Sequence, residues 1–334
     1  MDLHSLKELV AIDSPSGFTH KAAEYIFNKL TEYGCSPIMT NKGAVKCAFS
    51  SNPTLGIAGH IDTLGAVVKE INSDGTLRIS KVGELSLNAC EGAYCKIYTL
   101  DDHIYTGTLL LDNPAIHVNE ALTKPERTTE NMHVRLDELV DCTQDVERLG
   151  IAVGDFICFE VKYEELPSGF IRSRFMDNKA GCFVLLELAK ELAGKDVPVE
   201  LFFSNYEEVG HGAATGFADS LEELLVIDMG VVGDGCTGKE THCSICAKDS
   251  SGPYDYLMRK TLTLLAQKNS IPHKVDVYPY YGSDGSAALR AGCNFRVGLI
   301  GPGVSASHGT ERTHKQGIKA TIDLCMAYIG YRFV

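Results

Sequence analysis

The chain has 334 residues, 44% of them hydrophobic and 22% charged, with a formal net charge of −13. Length alone predicts a large core and two domains, because a single core seldom grows past ~250 to 300 residues. The acidic balance argues against nucleic acid or an anionic membrane as partner, since both need clustered Lys and Arg, and no apolar run approaches the ~20 residues of a membrane span.

At the N-terminus, MDLHSLKELVAIDS mixes acids with apolar residues and lacks the charged-then-apolar pattern of an export signal. The next stretch, HKAAEYIFNKLTEYG, has helical spacing: Ala22, Ile26, Leu30 and Tyr33 share one side and Gly34 supplies a stop. PTLGIAGHID then reads as a buried strand ending at His60. Over 68–166 the style changes to short alternating segments broken by turns (VVKEI, NSDG, TLRI, YCKIYTL, TGTLLL, DFICFEV), which predicts a small all-β unit. From Arg174 onward helical stretches (CFVLLELAKEL, YLMRKTLTLLAQ, IKATIDLCMAYI) alternate with apolar strands (VELFFS, LLVID, FRVGLI). That alternation predicts an α/β domain, a mixed and mostly parallel sheet sandwiched by helices. It is built from 1–67 and 167–334, with the β unit inserted. Twelve cysteines are scattered without a framework in a chain too large to need staples, which predicts reduced thiols and a cytoplasmic location.

Polar residues collect just past the predicted strands. His60 and Asp62 follow TLGIAG, Glu207 and Glu208 follow VELFFS, Asp228 follows LLVI, and Asp177 precedes a helix in SRFMDNKAG. Ligands of open α/β sheets gather outside the carboxyl ends of strands, so these segments can deliver one imidazole and several carboxylates to one place. Such donors suit zinc, cobalt or manganese, and a bridging carboxylate suits a paired site. Adjacent Glu207 and Glu208 point in different directions, so one can ligate while its neighbour moves a proton.

AGHIDTLG, RFMDNKAG, EEVGHG, VIDMG, SDGSAALRAG and SHGTERTH, in that order, resemble the motifs of metallopeptidase family forty-two, the glutamyl and deblocking aminopeptidases with co-catalytic metals. The resemblance spans nearly the whole chain, including a β insertion between the first His and the bridging Asp. It implies a zinc-peptidase-like catalytic domain, a small β-barrel-like domain acting as lid or assembly element, and two divalent metal ions, zinc or cobalt ahead of manganese. It further implies that Asp177 bridges the ions, with His60 and Asp228 on one and Glu208 and a C-terminal His on the other. Glu207 is then the general base, and Asp62 orients His60. Peptides with a free N-terminus are the implied substrates, and dimers building a hollow dodecamer the implied assembly. The strand edges of an exposed β unit also call for partners, which predicts a homo-oligomer.

The match has departures. A His and a Gly stand where the family carries two bulky residues after EEVG, so His211 is expected to alter the pocket. SHGTERTH offers both His308 and His314, and Gly309 replaces the usual Ser after the His. His308 is favoured because it follows FRVGLIGPGVSAS at about the distance that places the other ligands. Ordinary readings stand beside these: His60 as a hydrogen-bonded structural residue, the glutamate pair as a solvated turn, Asp177 as a helix cap, Asp228 as a turn cap. In GSDGSAAL, a helix cap at Ser283 or Asp284 weighs equally with a place near the substrate. THCSICAK reads as free thiols rather than zinc ligands, and Tyr278, Tyr280 and Tyr281 as core or interface residues. Competing functions are a related metal-dependent deacylase or carboxypeptidase, an endoglucanase-like glycoside hydrolase, which would need no metal, and a non-catalytic metal-binding protein, against which the retention of Glu207 argues.

Overall fold

A computed structural model describes residues 1–333. The chain divides into two compact units, one joining Met1–Thr63 to the segment from Lys162 onward and the other comprising Leu64–Val161.

The first unit is built on a 12-stranded mixed sheet. Its centre is parallel: Val199–Ser204, Leu55–His60, Glu223–Ile227 and Arg296–Ser305 lie side by side in that order. LGIAGH, VELFFS and ELLVI are buried along their whole lengths, as strands covered on both faces must be. Antiparallel strands extend the sheet on both sides, Val45–Ala48 beyond Val199–Ser204, and Glu311–His314 with Phe170–Ser173 beyond Arg296–Ser305. The helix Met176–Leu192 packs on Leu55–His60, and Lys315–Phe333 packs on Arg296–Ser305 and on that helix. Ala58, Phe202, Val226, Leu299 and Ala288 share one continuous apolar cluster.

Register decides what the sheet can display. Ser204 pairs with His60 and Val226 pairs with Ala58. The residues that follow these three strands therefore emerge at one edge, the carboxyl end where α/β sheets bind ligands.

The second unit is a closed six-stranded antiparallel barrel in the order Gly65–Ile71, Leu77–Val82, Met132–Leu136, Ile104–Leu111, Tyr94–Tyr98, Phe156–Phe159. Cys95 and Ile97, then Met132, Val134 and Leu136, alternate inward with outward neighbours, the period that fills a small barrel. Closure gives every barrel strand two neighbours, so the expectation of open edges in need of partners does not hold for this unit. Among the described residues no helix is long and apolar enough to cross a membrane.

Candidate active site

His60 ends the central strand and is almost fully buried. Its Nδ1 lies 2.9 Å from the Asp62 main-chain oxygen, which can only accept, so Nδ1 donates and Nε2 is turned toward the carboxylates. Nε2 stands 3.2 Å from Asp177 Oδ1, 3.9 Å from Glu207 Oε2 and 4.0 Å from Asp228 Oδ1. Asp62 thus orients the ring through its main-chain oxygen, with its carboxylate Oδ1 3.7 Å from the same nitrogen, and that carboxylate has a second task. Oδ1 and Oδ2 accept the backbone N–H groups of Glu207 and Glu208 at 3.1 and 3.2 Å, and Ser16 Oγ donates to Oδ2. A carboxylate beneath the single turn Glu207–Val209 is what its unpaired amides require.

Asp177 is not used as a helix cap. Phe175 holds the capping position of Met176–Leu192 with φ 63°, Asp177 and Asn178 have non-helical angles, and the peptide bond between them is cis. Asn178 secures the turn by donating to Ile227 O at 2.7 Å and accepting from Gly181 N. The Asp177 carboxylate is left between two imidazoles: Oδ1 faces His60, and Oδ2 lies 3.5 Å from His308 Nε2. His308 Nε2 is also 3.7 Å from Glu208 Oε2, while Glu208 Oε1 is buried without a hydrogen-bond partner. His314 lies elsewhere: its Nε2 donates to Ser168 O at 3.0 Å and its Nδ1 accepts from Gln316 N as the last helix begins. Asp228 does accept locally, from Met229 N at 2.7 Å, yet the same oxygen is the one facing His60.

Two buried acids join the cluster that strand-end reasoning did not single out as site residues. Glu311 accepts from Asp177 N and His308 N; it opens a four-residue strand too short to leave a periodic signal. Asp284 accepts from Ser204 Oγ and from Ala213 N, whereas Ser283 performs the helix capping, accepting from Gly285 N and Ser286 N. His211 stacks on Tyr206 with ring centroids 5.1 Å apart, and Lys42 donates to the main-chain oxygens of His211 and Gly212. Of the three tyrosines, Tyr278 is in the core, Tyr280 is exposed, and Tyr281 donates to Met229 O at 2.8 Å. Cys243 and Cys246 are buried free thiols on the strand Cys243–Lys248.

Crowded acids set the electrostatics. Burial, then the charges of Asp284, Asp62 and Asp177 with His60 opposing, pushes the Glu207 carboxyl up to about 8. Burial and the neighbouring Asp177 likewise hold Glu208 and Asp228 well above the usual carboxylate range. Burial acts on Asp177 in the same sense but is overcome by hydrogen bonds from His308 and His60, which hold it below the usual range. Burial also opposes charge on His60, yet Asp177 and the acids beyond it raise that imidazole well above its ordinary value. Burial and mutual repulsion resist ionisation of these carboxyls, a cost that a cation held among them would relieve. His60, Asp177 and Asp228 offer ligand atoms all within 4.8 Å of one another, enough to hold a metal ion. On the other side of Asp177, His308 Nε2 lies between Asp177 Oδ2 and Glu208 Oε2, whose partner oxygen Oε1 is the one left without a hydrogen bond.

Residues 41–324 match the family model described as M42 glutamyl aminopeptidase. YhfE of Bacillus subtilis (strain 168), whose given name proposes an aminopeptidase, is 44% identical over 331 residues, 97% of this chain and 96% of its own. Among solved structures, the aminopeptidase APDkam598 from the archaeon Desulfurococcus kamchatkensis matches with a TM-score of 0.87 at 22% identity, over 98% of this chain and 94% of that one. The TET1 peptidase of Pyrococcus horikoshii, described as able to assemble into a tetrahedron or a large octahedral shell, matches with a TM-score of 0.85 at 20% identity, over 98% of each chain. At these identities the two structures speak for the fold.

Proposed function

The chain belongs to the M42 glutamyl aminopeptidase family, and from that premise we propose that it removes N-terminal residues from peptides at a centre of two divalent metal ions, with Glu207 as general base. One observation carries the reading: the two oxygens of Asp177 face two different imidazoles, His60 at 3.2 Å and His308 at 3.5 Å, inside a ring of further carboxylates. His60, Asp177 and Asp228 would hold one ion, and Asp177, Glu208 and His308 the other. When bound, the ions supply a counter-charge for these acids, polarisation of the scissile carbonyl, and a lowered pKa for the attacking water.

The chain's own residues do the rest. Glu207 is the acid best placed to exchange protons with substrate: its side chain keeps 15% exposure, against 8, 4 and 4% for Asp177, Glu208 and Asp228. It takes the proton of the attacking water and returns it to the departing amine. Asp62 fixes the direction of that carboxylate by holding the Glu207 and Glu208 amides. The excess of negative charge in the cleft favours a cationic N-terminal amine, which restricts cleavage to the first residue. Zinc or cobalt suits the imidazole-containing donor set better than magnesium does.

A homo-oligomer larger than a dimer accords with this reading through the fold shared with TET1, and twelve free cysteines accord with a cytoplasmic location. Elemental analysis of the purified chain, combined with a panel of aminoacyl anilides assayed with and without chelator, tests metal and activity together. A chelator-insensitive hydrolase would contradict the proposal.

A further inference from the structure

We infer that Glu311 is a positioning residue that ties Asp177 to His308 and so governs occupancy of one of the two ion positions. This rests on the two-ion reading above. The Glu311 carboxylate is buried, and each oxygen accepts one main-chain N–H, Oε2 from Asp177 at 3.1 Å and Oε1 from His308 at 3.0 Å. Both donors belong to proposed ligands that come from distant parts of the chain. One side chain therefore sets their separation.

The surroundings show why such a tie is needed. His308 has φ 61° and Ala306 φ 56°, a left-handed region that residues with a Cβ occupy only when their surroundings impose it. The loop around His308 forms no strand or helix. It is held by the Glu311 contact, by Gly309 N on Ala306 O, and by Arg174 on Gly309 O. Glu311 itself is anchored, because it begins the strand Glu311–His314 and pairs with Ser173, four residues before Asp177. His60 is held by other means, at the end of a central strand with Nδ1 on Asp62 O. Asp177, shared by both positions, keeps the anchor that Asn178 gives its turn through Ile227 O and Gly181 N, so removing the Glu311 carboxylate loosens chiefly the His308 side of the centre.

The substitution Glu311→Gln isolates the effect. An amide keeps one acceptor oxygen, but its NH₂ must face one of the two N–H donors, so one bond is lost. Zinc and cobalt titrations by calorimetry, with elemental analysis after dialysis, are expected to show two ions on the wild type. In Glu311→Gln one ion is held as before and the other ~10- to 100-fold more weakly, the range for losing a group that orients a ligand. Glu311→Asp keeps both acceptors on a shorter arm and is expected to fall between them; it carries the test if the Gln variant does not fold. Glu240→Ala removes the ion pair to the adjacent Arg312 at 2.7 Å. That variant is expected to keep both ions, which separates positioning from general loosening of the strand. Two ions on the wild type with both retained at unchanged affinity in Glu311→Gln, or in Glu311→Asp if only that variant folds, would overturn the inference alone. Fewer than two ions on the wild type would overturn the two-ion reading and this inference with it.

Discussion

His308 Nε2 stands 3.5 Å from Asp177 Oδ2, on the side of that carboxylate away from the oxygen that faces His60. Its rival six residues on, His314, has both ring nitrogens engaged, with Ser168 O and Gln316 N. On the proposed assignment, His308→Ala binds one metal ion per chain instead of two and loses most peptidase activity, while His314→Ala binds two. Elemental analysis of both variants decides the matter, and the reverse pattern would move the ligand to His314.

Gly212 is a position where only the absence of a side chain fits. A Cβ there would meet Asp284 Oδ1 at 2.0 Å and the Glu207 Cα at 3.0 Å. Gly212→Ala is therefore expected to destabilise the chain by ~1 to 3 kcal/mol, the usual cost of overpacking, and to lower kcat by displacing Glu207. Thermal melting and steady-state kinetics read the two effects, and a variant with wild-type melting and turnover would rule out this packing.

Glu200 gives a pH dependence away from the metal ligands. It is buried, with Oε2 3.4 Å from Lys46 Nζ and Oε1 accepting from Ala218 N. Burial raises its carboxyl above the ordinary 4.5, and Lys46 offsets this only in part. A carboxyl raised in the fold contributes its stability below the unfolded value, and that contribution is lost as pH rises through the folded one. The melting temperature of Glu200→Gln relative to wild type should therefore climb from about pH 4.5 to pH 7. A difference that stays flat or falls over that range would refute the assignment.

The parts of this structure legible in the sequence are those where burial leaves an unbroken apolar run. LGIAGH, VELFFS and ELLVI announce central strands, and the polar residues at or just past their carboxyl ends, His60, Glu207, Glu208 and Asp228, meet at one edge because the strands are parallel and in register. The barrel is legible as alternation; Met132–Leu136 follows the same period, with His133 and Arg135 outward, but at five residues it stands apart from the segments that announce the unit. Cys243–Lys248 is not legible as a strand, because CSICAK has one β-branched residue and two cysteines at the spacing of metal ligands. Glu311 is not legible as a site residue, since a buried acid serving main-chain amides leaves no period or spacing behind, whereas Asp284 stands in GSDGSAAL, whose place near the substrate the resemblance alone suggests. The barrel-like form of this unit comes from the family resemblance and not from its segments, because pairing between first and last strands is a long-range choice that no local segment encodes.

The most direct measurement on the central claim pairs metal content with turnover in Glu207→Gln. Glu207 is proposed to move the proton and to ligate neither ion, so the variant should retain two divalent ions per chain. Its kcat on aminoacyl anilides should fall by ~10² to 10⁴, the contribution of a general base. Two retained ions with near wild-type turnover, or loss of an ion along with activity, would contradict the account.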